Sequence, residues 1–129
     1  MGYESRIYIV RKTDTIGWRN PGMRFAEVLM TFNLGRISVD LERWLHKQRP
    51  TDCFIYADDG NTEIIDDRCG DPLREIDLIA LRQALLLEIE RRPDTHTEQL
   101  FILARCVLHQ LMIYHGYTSD EVVCLHYGY

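Results

Sequence analysis

Cys106, His109, Cys124 and His126 are the residues whose types and spacing most directly suggest chemistry. Cys106 and His109 share a face if their segment is helical, and Cys124 and His126 point to one side if theirs is a strand. Two thiolates and two imidazoles make a full tetrahedral zinc set, structural when closed and hydrolytic when one position is left to water. The spacing is not that of a zinc ribbon or finger. Cys106 and His109 also lie in a segment that is apolar almost all round, where cysteine packs as a small hydrophobe and histidine satisfies its nitrogens locally. Zinc is therefore the alternative reading and packing the first. Cys53 and Cys69 have no CxxC geometry and are read as packing residues.

The second constellation is acidic. Residues 51–77 carry nine Asp and Glu against two Arg, while residues 1–50 carry nine Lys and Arg against five acids, within a chain of net charge −5. Asp58-Asp59 and Asp66-Asp67 flank a β-ribbon that also carries Glu63. Such pairs could ligate a hard cation or act as paired carboxylates, but no EF-hand spacing is present, and Asp at a turn serves turn geometry first. Clustered carboxylates on a ribbon also make a field that steers a basic protein surface and imitates the phosphates of nucleic acid.

Other chemistries lack their signatures. There is no GxSxG elbow for acyl transfer, and neither GxxxxGK(S/T) nor GxGxxG for phosphate binding. Arg6, Arg11, Lys12, Arg19 and Arg24 with Trp18 combine cation and aromatic, as single-strand binding requires. The negative total and the absence of an RNA-binding or helix-turn-helix pattern argue against direct nucleic-acid binding.

The elements that must position these residues follow from local pattern. At 129 residues, 46% apolar and 27% charged, the chain suits one globular domain with a core of its own. Ser5 to Lys12, with Ile7-Tyr8-Ile9-Val10, reads as a strand covered on both faces. Asp14 to Gly22 reads as a loop. Phe25, Val28, Leu29 and Phe32 recur at helical spacing, with Gly35 as the stop. Ser38 caps a short helix through Leu41, Trp44 and Leu45 that ends before Arg49-Pro50. Asp59-Gly60 between two β-prone runs predicts a type I′ hairpin, with Ile55 opposite Ile64 and Tyr56 opposite Glu63 on the wet face. Asp66 to Asp77 is a solvated connection. Asp77 caps a helix through Leu78, Leu81, Leu85 and Ile89 that closes at Arg91-Arg92-Pro93. Thr95 and Glu98 form a capping box opening a long, nearly all-round apolar helix that Gly116 ends. Glu121 to Tyr127 is a last strand, expected to pair with the first. The fold class is α+β: a small, mostly antiparallel sheet of about four strands packed against three to four helices, in one domain over residues 1–129.

The opening Met1-Gly2-Tyr3-Glu4-Ser5-Arg6 has no basic region followed by a long apolar stretch, and Arg6 stands where myristoylation wants Ser or Thr. The apolar stretch around Leu100 to Tyr114 is broken by Arg105, His109 and Gln110. The expectation is a cytoplasmic protein with reduced cysteines, no membrane contact and no cofactor.

The segments GYESRIYIV, FAEVLMTFNL, FIYADDGNTEI and GDPLREI make the first 80 or so residues similar to a group of small uncharacterised phage and prophage proteins. The resemblance implies a mobile-element context and carries over no catalytic residue. Together these observations point to a non-enzymatic protein-binding module, an inhibitor of a host nucleic-acid-handling or defence complex, acting through Asp58, Asp59, Glu63, Asp66 and Asp67. A metal-binding protein using Cys106, His109, Cys124 and His126 is the alternative, and a homo-oligomer with Tyr127-Gly128-Tyr129 as a contact is a third reading.

Overall fold

The computed structural model describes residues 4–68, 70–92, 97–113 and 121–128. The strand built on Ile7-Tyr8-Ile9-Val10 is β1 (Ser5–Ile16), and its uninterrupted apolar run has the consequence expected of it. It lies inside the sheet, antiparallel both to β2 (Arg24–Gly35) and to β6 (Val122–Gly128). Side chains alternate along a strand. Ile7 and Ile9 therefore enter one core with Cys124 and Val122 of β6, while Tyr8 and Val10 enter a second with Val123 and Leu125.

The remaining strands are β3 (Cys53–Tyr56), β4 (Glu63–Ile64) and β5 (Arg74–Ile76), giving the six-stranded order β4-β3-β2-β1-β6-β5. Because β3 runs parallel to β2 through Arg24 opposite Cys53 and Phe25 opposite Phe54, the sheet is mixed. It is also curled. Pro50 bridges Arg74, the Thr51 amide donates to the Leu73 carbonyl at 2.9 Å, and the Glu75 amide donates to that of Arg49 at 2.9 Å. The segment before β3 thus meets the outer edge of β5. The second core fills the concave side of this curl, with Ala26, Cys53, Ile55 and Leu73 joining Tyr8 and Val10.

Helices cover the convex side. In α1 (Val39–His46), Ser38 Oγ accepts from the Leu41 amide at 3.1 Å, as its position before an amphipathic run predicts. In α2 (Leu78–Arg91), Asp77 accepts from the Ala80 amide at 3.1 Å, and Leu78, Leu81, Leu85 and Ile89 are buried. Glu88 of α2, itself buried, accepts from both the amide and the hydroxyl of Ser38, at 2.8 and 2.5 Å, which pins the start of α1. The third helix runs from α3 (Glu98–Ile102) through a π-helical turn, Leu103–Val107, into α4 (Leu108–Ile113). No helix among the described residues is long and apolar enough to cross a membrane.

Two departures correct the expected fold class of about four mostly antiparallel strands. The segment predicted as a helix through Phe25, Val28, Leu29 and Phe32 is β2. The pairing with β1 skips Leu29 between Ile9 opposite Met30 and Val10 opposite Val28, and this bulge inserts a residue into a period of two. Apolar residues on either side of it then fall at helix-like intervals. The other departure is β5, inside what reads as a solvated connection. Three smaller corrections concern ends and faces. The hairpin turn is not type I′, since Gly60 (φ 75°) alone has positive φ there and its amide bonds the Ala57 carbonyl at 2.9 Å. The third helix is capped by Thr97, while Thr95 and Gly116 lie outside the described residues. That helix buries a stripe of Leu100, Leu103, Ala104, Leu108 and Leu111 and exposes Ile102, Arg105, Cys106 and Gln110, so it is not apolar all round in its setting.

Ile9 is fully buried at the centre of the sheet. Ile9→Ala is expected to lower the urea unfolding midpoint by an amount equivalent to about 3 kcal/mol, with an unchanged slope.

Candidate functional site

The structure does not assemble the zinc set. Cys106 is exposed on the π turn, His109 is half-buried on α4, and Cys124 and His126 are buried on β6. Among the described residues, the group whose ligand atoms fall within 4.8 Å of one another is a different one: Asp52, Cys53 and Glu75. Each of its atoms is already engaged. Glu75 Oε1 receives Lys12 Nζ at 3.0 Å and Thr51 Oγ at 2.9 Å, and Oε2 receives the Arg49 guanidinium. Cys53 Sγ donates to Asp52 Oδ1 at 3.4 Å, and Arg24 holds Asp52 Oδ2 at 3.0 Å. Burial pushes the Cys53 thiol up to about 11, so it stays protonated near neutrality. Burial would also raise the Asp52 carboxyl, but the bonds from Cys53 and Arg24 outweigh it and hold it below its ordinary range. A divalent cation would have to compete with three cations, Lys12, Arg49 and Arg24, and deprotonate a thiol, so the donor set suits the closure of the sheet and not a metal.

A second grouping has the outward form of a nucleophile and its base. His126 Nε2 lies 3.0 Å from Ser5 Oγ. Both side chains are buried, so no substrate carbonyl reaches the hydroxyl. The His126 ring stands edge-on to His46 of α1 at 6.2 Å. Burial first, then His46 and Arg74, push its pKa down to about 4. It is a neutral core histidine that joins the last strand to the first.

The acidic residues separate into two kinds. Asp58, Asp59 and Asp66 are exposed and enter no ion pair among the described residues. Amide donation from Thr62 and Asn61 holds the Asp59 carboxyl below its ordinary range, so it is firmly ionised. Glu63 was expected on a wet face, but it is half-buried and accepts from Asn20 Nδ2 at 2.9 Å. Asp67 accepts from the Asp71 amide at 3.0 Å and shapes its loop.

The basic N-terminal residues are largely committed within the fold. Arg11 pairs with Glu27 at 2.5 Å, Lys12 with Glu75 and Arg24 with Asp52. Arg6 lies over the Tyr127 ring at 5.9 Å. That tyrosine was expected in an exposed aromatic tail but packs edge-on against Tyr8, while Tyr129 lies outside the described residues. Sequence reasoning missed Glu75, Lys12, Thr51 and Arg49 as a unit. The local trace was a glutamate flanked by Leu73 and Ile76, both buried. Comparisons with protein-family models, curated proteins and solved structures find no match.

Glu75→Gln removes the charge that Lys12 and Arg49 share. A loss of about 2–3 kcal/mol in urea unfolding is expected, less than for a fully buried pair because Arg49 is free to turn to solvent. Stability should also fall with acid. The unfolded chain protonates His126 below about pH 6.5 and the folded chain only near 4, so the folded state is penalised progressively across that window. The midpoint for His126→Asn should fall less between pH 7 and 4.5 than that of the wild type; an equal fall would assign the acid sensitivity to other groups.

Proposed function

We propose that the chain is a non-enzymatic protein-binding module whose contact surface is the acidic β3–β4 hairpin with the segment that follows it, and that it acts as a mobile-element inhibitor of a host nucleic-acid-handling or defence complex. One observation carries this reading: Asp58, Asp59 and Asp66 stay exposed and form no salt bridge among the described residues, while Glu75 and Asp52, not far along the chain, are each matched to a cation. Exposed carboxylates outside the salt bridges of a fold attract a basic surface and repel phosphate. Of the groups capable of nucleophilic or metal chemistry, Ser5, Cys53, Cys124 and His126 are buried, and the exposed Cys106 belongs to no cluster of ligand groups among the described residues, which supports binding over catalysis. Resemblance to small phage and prophage proteins supports a host target.

The test is affinity capture from bacterial lysate with the wild type beside Asp58→Lys/Asp59→Lys/Asp66→Lys, followed by association kinetics with the captured protein. A partner held by the wild type alone, associating at least about tenfold more slowly with the variant at low salt, is the expected result. The same partner held equally by both, with the same salt dependence, would overturn the reading.

A further inference from the structure

The turn between β1 and β2 leans on the acidic hairpin. Asn20 bonds Glu63 of β4, and a Cβ on Gly17 would come within 2.8 Å of the Phe54 ring and 2.9 Å of the Glu63 carboxylate. The turn is closed from within by the Gly17 amide to the Met23 carbonyl at 2.8 Å and the Met23 amide to the Asn20 carbonyl at 2.9 Å. From this braced turn Trp18 stands 80% exposed, with Ile16 at 55% beside it. The Arg19 guanidinium lies over the indole at 5.4 Å, and its charge also acts on Asp59 across the gap between the two tips.

We propose that Trp18 is the anchor through which the acidic tip recognises its partner, and that the partner is a protein surface with an apolar pocket rimmed by Lys and Arg. The inference rests on the binding reading above and adds the chemistry of the partner. An indole this exposed forgoes the large favourable transfer of its apolar area, which an enclosing pocket would restore. Its backbone is already fixed by the bonds that close the turn, so little conformational freedom is lost on docking. The charge of the surroundings sets the sign of the rim. Exposed Asp58 and Asp59 outnumber Arg19, the one cation within this turn, which is itself stacked on Trp18 and acts on Asp59. An aromatic and an arginine could also stack a nucleobase, but the exposed carboxylates of Asp59, on which Arg19 acts, and of its neighbour Asp58 oppose the phosphates that base carries.

Fluorescence of the full chain in a Trp44→Phe background reports Trp18 alone, since the sequence holds two tryptophans. The probe is a short peptide alternating lysine and leucine, set against an all-lysine peptide of equal charge, a glutamate–leucine peptide and single-stranded oligothymidine. The lysine–leucine peptide is expected to shift Trp18 emission to the blue, and its affinity to fall at least about tenfold both in Trp18→Ala, read by anisotropy of labelled peptide, and in Asp58→Lys/Asp59→Lys. The all-lysine peptide should bind more weakly without the shift, and the acidic peptide not at all. Binding that depends on the aspartates but leaves Trp18 emission unshifted and survives Trp18→Ala overturns the anchor while leaving the acidic-surface reading standing. Binding insensitive to both substitutions overturns both. A blue shift with oligothymidine assigns the turn to nucleic acid and overturns the proposal. Trp18 is exposed, so loss of folding does not confound its variant; circular dichroism verifies this for each protein.

Discussion

The curl of the sheet depends on a buried carboxylate. Glu75 sits on β5, only 5% exposed, and gathers Lys12 from β1 with Thr51 and Arg49 from the segment that leads into β3. An isolated carboxylate in that position would be strongly disfavoured, and the Coulombic return from its partners offsets desolvation only when its lone pairs are filled. Here both oxygens are occupied, one of them twice. The ion cluster thus adds modestly to stability, and it is the curled arrangement that brings its members together to satisfy the charge.

Closure in turn explains why one strand serves two cores. β1 alternates Ile7 and Ile9 toward the helices with Tyr8 and Val10 toward the concave side, and neither set could be buried by a flat sheet covered on one face. β6 repeats the pattern with Val122 and Cys124 against Val123 and Leu125. Helices fill one side and the curl fills the other. The polar contacts that remain inside, Ser5 with His126 and Ser38 with Glu88, fasten chain segments distant in sequence. Groups that would be reactive in a cleft have become joints.

What was legible in the sequence was local. Ser38 and Asp77 announce their helices because a capping side chain acts within three residues, and Ile55 opposite Ile64 follows from the turn that joins them. The pairing of the last strand with the first was also legible, since two continuous apolar runs each demand cover on both faces. β2 was not, because the bulge at Leu29 gives a strand the apolar spacing of a helix. β5 is three residues long behind Gly70 and Pro72, and its partners lie on β6 and around Pro50, so nothing nearby marks it. The same reason hides the ion cluster. Its members come from three separated stretches, and only the curl makes them neighbours. Of the proposed contact residues, Asp58, Asp59 and Asp66 could be read as surface charge, whereas the roles of Glu63 and Asp67 depend on Asn20 and on the loop ending at Asp71.

The exposed tip is a consequence of the same closure. Arg24 and Phe25 of β2 pair with Cys53 and Phe54 of β3, which brings the preceding β1–β2 turn alongside the hairpin that β3 begins. The approach is tighter than any side chain at position 17 would allow, because Phe54 and Glu63 already occupy the place of a Cβ. Gly17 therefore does more than turn the chain. It lets Asn20 reach Glu63, and that bond ties the turn carrying Trp18 and Arg19 to the hairpin carrying Asp59. Glu63 must give up its place on the wet face to make the bond, which leaves Asp58 and Asp59 as the outward charge of the hairpin. The turn that displays the aromatic side chain thus rests on the packed rings of Phe25, Phe54 and Tyr56, and it is the pairing of β2 with β3 that brings it alongside the carboxylates of the hairpin.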